Sequence, residues 1–146
     1  PPPPPPLFFS THTPPPAISA CLVGSEMCIR DRPPIADGPA QRLVFCDMPC
    51  SGSGVWRRDP SGKWTLTAAR LRDLQNLQSE ILAQASALVA AGGLLLYATC
   101  SVLKRENSDQ IDSFTAENPS WSCRESKQFL PSNQGDGFYY AVLKKD

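Results

Sequence analysis

Arg42-Leu43-Val44-Phe45-Cys46, followed by Asp47-Met48-Pro49-Cys50-Ser51-Gly52-Ser53-Gly54, decides the fold. The first segment is a short, continuously apolar run after Arg42, the pattern of a strand buried on both faces of a parallel sheet. Pro49 and the Ser/Gly-rich loop end it, because proline removes a ladder donor and glycines favour turns. Downstream, Thr67 is a fitting N-cap for a long helix that ends before Gly92-Gly93. Leu71, Leu74, Leu77, Ile81, Leu82, Ala85, Leu88 and Val89 recur there at helical spacing, a stripe suited to core packing. Leu94-Leu95-Leu96-Tyr97-Ala98 then predicts a second buried strand, ending at Thr99-Cys100-Ser101.

Working outward, a second helix is expected from Glu106 to Ala116, with Ile111 and Phe114 inward and Asn118-Pro119 as its stop. Trp121–Phe129 and Phe138–Lys144 predict two strands around the turn-rich segment 131–137. The order strand, helix, strand, helix, strand, strand defines an α/β, doubly wound, Rossmann-like sheet with an antiparallel edge hairpin. Val55–Trp64 is so rich in turn formers that no regular structure is expected in it. No internal repeat is present.

Residues 1–40 differ abruptly in composition. Pro1–Pro6, Pro14–Pro16, Pro33, Pro34 and Pro39 are twelve of the sixteen prolines, and the stretch has neither strand nor helix periodicity. Disorder is the expectation there, with a proline-rich ligand for SH3-like or WW-like partners as the alternative. Cys21–Arg32 also resembles the translated sequencing-adaptor peptide that contaminates some reading frames, which would leave that segment without an evolved role. Leu7–Val23 lacks the positive start and unbroken apolar core of a signal peptide, and no run approaches the ~20 apolar residues that cross a bilayer. A cytoplasmic protein is expected, with no membrane association.

The whole chain is formally neutral, and removing the two basic and three acidic residues of 1–40 leaves 12 basic against 11 acidic. Global charge therefore says nothing about nucleic acid, and any such signal must be local. The six cysteines, at 21, 28, 46, 50, 100 and 123, do not suggest a secreted disulfide scaffold without a secretory signal. Cys46-x-x-x-Cys50 is half of a zinc pattern with no second half, and His12 is the only histidine, so no metal is expected.

Cys50 and Cys100 each stand just past the carboxyl end of a predicted parallel strand, the edge of an open α/β sheet where ligands bind. A right-handed crossover through the long helix would turn both thiols toward one pocket. Taken singly, either cysteine reads better as a small buried hydrophobe. As a pair they suit chemistry at C5 of cytosine, a poor nucleophile that becomes electron-rich when a thiolate adds at C6. Expelling the sulfur afterwards requires a base to remove the C5 proton, and a second cysteine suits that step. Asp47 would set a carboxylate against a base edge or a cofactor amino group, or simply cap the Gly52–Gly54 loop. Cys46 is expected in the core and Cys123 packed in a late strand.

Asp47-Met48-Pro49-Cys50-Ser51-Gly52-Ser53-Gly54 resembles the Asp-x-Pro-Cys-Ser-x-x-Gly motif of the RsmB/NOP family of RNA cytosine-C5 methyltransferases. Thr99-Cys100-Ser101 with Glu106-Asn107 resembles that family's Thr-Cys-Ser motif, in the same order and at a matching separation. The likeness continues through Arg57-Arg58-Asp59-Pro60, Lys63-Trp64, the Leu/Gln-rich helix, Gly92-Gly93 and Asp136-Gly137-Phe138, over about residues 41–146. It implies that Cys100 attacks C6, that Cys50 assists release, and that Asp47 lies against S-adenosylmethionine and the target base. DNA cytosine methyltransferases use a Pro-Cys cysteine as nucleophile instead, and the second motif at Cys100 favours the RNA enzymes. RNA, ribosomal RNA above all, is the implied partner. Arg57, Arg58 and Lys63, lying between Trp56 and Trp64, then form a basic and aromatic cluster for phosphates and unpaired bases, Trp64 supplying a stacking face. The alternative is a solvated loop whose tryptophans cover the sheet edge.

The glycine-rich turn and following acidic residue on which cofactor binding depends in this fold do not occur in residues 1–40. Residues 41–146 are accordingly expected to be a partial methyltransferase domain, binding the cofactor negligibly and inactive alone. The competing readings are a catalytically silent RNA-binding fragment and a thiol-based metal or redox module.

Overall fold

The computed structural model describes Ser19–Ala20 and residues 40–146, so the expectations for the rest of the amino-terminal segment lie outside the described residues. Within them the chain runs β1 (Ser19–Ala20), β2 (Gln41–Asp47), α1 (Ser61–Thr65), α2 (Ala68–Ala87), β3 (Val89–Thr99), α3 (Ser108–Glu117), β4 (Trp121–Phe129) and β5 (Phe138–Lys145), with 3-10 turns at Ser53–Val55 and Lys104–Glu106. These form one five-stranded sheet in the order β1-β2-β3-β5-β4. The β1-β2-β3 part is parallel and the β3-β5-β4 part antiparallel, giving the expected α/β sheet with a closing hairpin.

The helix begins where its cap is. Thr67 is extended and its hydroxyl accepts a hydrogen bond from the Arg70 N–H at 3.1 Å, a cap contributing on the order of 1 kcal/mol. The helix ends at Ala87, five residues before Gly92, because β3 starts at Val89 rather than at Leu94. Leu82 and Ala85 of α2 and Ile111 and Phe114 of α3 bury against Val44, Cys46, Leu95, Tyr97, Tyr139, Ala141 and Leu143 of the sheet. Phe114 meets Trp121 edge-on at 5.6 Å between centroids, an arrangement that aligns the positive edge of one ring with the negative face of the other.

Two expectations need correction. The strand at 41–47 is buried on one face, not two: Val44 and Cys46 point into the core, whereas Leu43 is 57% and Phe45 39% exposed. Both helices pack on the core face, and no described element covers the other. Phe45 and Cys46 pair in parallel with Ser19–Ala20 at the outer edge of β2. Segment 55–64 is not irregular throughout, because Pro60 starts a short helix at Ser61–Thr65. Among the described residues no helix is long and apolar enough to cross a membrane, and no cluster of His, Cys, Asp and Glu is arranged to hold a metal.

Candidate active site

β2 and β3 lie side by side and parallel, with Asp47 opposite Ala98, so their carboxyl ends open onto the same rim. The Met48 N–H donates to the Ala98 carbonyl at 2.9 Å, carrying the pairing one residue beyond β2. The loops that follow are stitched together by backbone. The Gly54 N–H donates to the Cys100 carbonyl and the Gly137 N–H to the Gly54 carbonyl, both at 2.9 Å. Position 54 must be glycine, since a Cβ there would fall 2.1 Å from the Gly137 oxygen and 2.8 Å from the Cys100 oxygen. Gly52, at φ +66°, takes the left-handed turn that begins this close approach.

The loops bring the Sγ atoms of Cys50 and Cys100, fifty positions apart in sequence, to 3.3 Å. Both thiols are free. They are not equivalent: Cys50 is half-buried, Cys100 exposed. The Cys50 thiol donates to Cys100, and that bond together with burial keeps the Cys50 proton on far above the usual thiol range. The same bond draws Cys100 down to about 7, against burial and the repulsion of Asp47 and Glu106. Near neutral pH the pair therefore holds a thiolate at Cys100 and a thiol at Cys50.

Asp47 ends β2 exposed, and its carboxylate makes no side-chain hydrogen bond or ion pair among the described residues. It does not cap the Gly52–Gly54 loop and is open to a ligand. Arg57 and Arg58 converge on Asp136 of the hairpin loop, Arg58 in direct contact and Arg57 at 3.9 Å. Lys63 sits 5.7 Å from the centre of the Trp64 ring, which is 81% exposed, while Trp56 is half-buried beside Gly62. Of the two tryptophans, only Trp64 offers a free face. Cys46 is core, its thiol pushed up to about 11 by burial, as its alternation into the strand interior indicates. Cys123 is exposed, not packed, on β4, the edge strand of the sheet.

Several residues here were not singled out from sequence. A cavity of about 530 Å³ lies on the hairpin, lined by Phe129, Leu130, Asp136, Phe138 and Tyr140 among others. Phe129 and Tyr140 stack at 6.2 Å, and Lys127 Nζ stands 4.9 Å over Phe129. The aromatic spacing was visible, but only the hairpin register brings those rings together. Gln128 ties the hairpin to the second cysteine loop by donating to the Ser101 carbonyl at 3.2 Å and the Phe138 carbonyl at 3.0 Å. Beneath the thiols, the Ser53 and Ser101 hydroxyls meet at 2.9 Å, and the Val102 N–H donates to Ser53 Oγ at 2.9 Å.

An open α/β sheet with two facing cysteines at the carboxyl ends of adjacent parallel strands has the form of a Rossmann-like domain with a candidate thiol site on its rim. Known proteins agree. The family model described as 16S rRNA methyltransferase RsmB/F matches residues 37–144, and the chain belongs to that family. It is 44% identical over 109 residues to the ribosomal RNA small subunit methyltransferase B of Vibrio vulnificus, covering 70% of this chain and 26% of that protein. Against its counterpart in Proteus mirabilis the identity is 41% over 103 residues, covering 70% and 24%. The crystal structure of PH0851 superposes with a TM-score of 0.68 at 32% identity, covering 71% of this chain and 26% of that one. The chain thus spans about a quarter of the length of the curated relatives it matches.

Proposed function

We propose that this chain carries the thiol half of an S-adenosylmethionine-dependent transfer of a methyl group to C5 of cytosine in RNA, the ribosomal RNA of the small subunit. The observation that carries this reading is the 3.3 Å separation of two sulfurs, one half-buried and one exposed, on a single sheet rim. The Cys100 thiolate adds to C6, forming the S–C6 bond and pushing the C5–C6 π pair onto C5. Bound S-adenosylmethionine supplies the methyl group to that carbon. Once the Cys100 sulfur is a neutral thioether, the negative charge that held the Cys50 proton is gone. Cys50 then loses its own proton to solvent more readily and, as the thiolate, takes the C5 proton; the C5–C6 double bond re-forms and the S–C6 bond breaks, restoring the Cys100 thiolate. Asp47 is the described residue suited to hold the cofactor's amino group or the base edge, and no glycine-rich strand-to-helix turn accompanies it. RNA would be held by Arg57, Arg58, Lys63 and Trp64, and by unpaired bases on the aromatic hairpin.

With Asp47 alone of the expected cofactor contacts, the 146-residue chain by itself binds S-adenosylmethionine negligibly, and calorimetric titration is expected to give no heat of binding. A micromolar isotherm would contradict this. The positive test restores the surrounding fold: residues 37–144 replace the matched segment of the Vibrio vulnificus relative, and tritiated methyl transfer to small-subunit rRNA is followed. Incorporation at cytosine C5 is the expected outcome. Methylation at another atom, or none in a folded chimera, would overturn the assignment.

A further inference from the structure

Glu106 is fully buried and has no arginine or lysine among its partners, an expensive place for a carboxylate unless several donors satisfy it. Four do. Its Oε1 accepts from the Ser51 N–H at 2.8 Å and from Gln78 Nε2 of α2 at 3.1 Å. Its Oε2 accepts from the Ser51 and Ser101 hydroxyls, both at 2.6 Å. Ser51 and Ser101 are the residues immediately after Cys50 and Cys100, so one side chain grips the chain next to both sulfurs and ties both to the long helix. Gln78 also donates to the Pro49 carbonyl at 2.8 Å, just before the first cysteine. The next residue, Asn107, extends the brace: its Nδ2 donates to the Ser101 carbonyl at 2.8 Å and its Oδ1 accepts from the Thr99 hydroxyl at 2.6 Å. An apolar residue would fill this volume without the desolvation cost, but it would not hold the two loops in register.

We infer that Glu106 is a positioning residue, whose buried carboxylate fixes the two cysteine loops so that their sulfurs face one another across the reaction cleft. The inference rests on reading Cys50 and Cys100 as one reactive pair, but it concerns their geometry and not methyl transfer. It is tested by cross-linking the two thiols of the intact chain with dibromobimane, mapped by peptide mass, in Glu106→Ala, Glu106→Asp and Glu106→Gln. Alanine and the shorter aspartate are expected to slow the Cys50–Cys100 cross-link about tenfold or more, as each loosens the loops by an ångström or so. Glutamine keeps the length and an acceptor oxygen, and is expected to stay within about threefold of the parent. Glutamine also removes a negative charge that, with Asp47 and the Cys50 sulfur, faces Cys100, so the Cys100 alkylation midpoint moves to lower pH. A role in stability alone would lower the melting temperature without separating aspartate from glutamine in the cross-linking rate. If alanine fails to fold, the aspartate and glutamine variants decide. Unchanged cross-linking in aspartate, or equal losses in aspartate and glutamine, would overturn the inference, while leaving open whether the full enzyme methylates cytosine.

Discussion

The two cysteine loops have the same address and opposite character. Each follows a parallel strand, at Asp47 and at Thr99, and each places a Cys-Ser pair on the rim. The Cys50 loop folds inward, with Ser53 and Gly54 buried, and keeps its thiol protonated. Cys100 stands exposed above the buried Ser101 and carries the charge. Under the proposed function one strand-end geometry would supply both a nucleophile and a later-acting base, the difference coming from a single hydrogen bond and unequal burial rather than from two unlike residues.

Substituting one side and then the other is the sharpest way to break this asymmetry. In the chimera described above, Cys100→Ala is expected to lower methyl transfer by about a thousandfold or more and to leave no covalent RNA adduct, since no sulfur remains to attack C6. Cys50→Ala is expected to retain attack but stall at release, so that an RNA–protein adduct builds up on denaturing gels. Loss of both activity and adduct in Cys50→Ala would reverse the roles.

A smaller effect tests the stitching. Gly54→Ala forces a methyl group into the Gly137 and Cys100 carbonyls, so the loops must part. Cross-linking of the two thiols is then expected to slow about tenfold while the helical circular dichroism stays near that of the parent, because α2 and its core contacts are untouched. An unchanged cross-linking rate would show that the close backbone approach does not set the sulfur separation.

Much of this architecture was legible in the sequence because its signals are local. Thr67 is a cap by chemistry, the 71–89 stripe is periodic, and Trp121–Phe129 is bounded by turn formers on both sides. The convergence of Cys50 and Cys100 followed from two strand ends and one crossover, an argument from topology that β2-β3 pairing bears out. What escaped was tertiary. Leu43 and Phe45 look identical to buried strand residues until the packing assigns them a face. Glu106 stood in a recognised motif, but its role depends on loops drawn from three parts of the chain. Cys123 reads as a packed strand cysteine until the strand order places β4 at the edge of the sheet.

The asymmetry of the two thiols is read out by alkylating the chain with iodoacetamide across pH 5 to 10 and following Cys50 and Cys100 separately by peptide mass. A thiol drawn down by a donated hydrogen bond reacts as its thiolate, so the Cys100 rate should rise with pH and level off above about 7. Cys50 should stay unreactive over that range until Cys100 is blocked. Two independent titrations at the ordinary thiol value, or Cys50 reacting first, would contradict it.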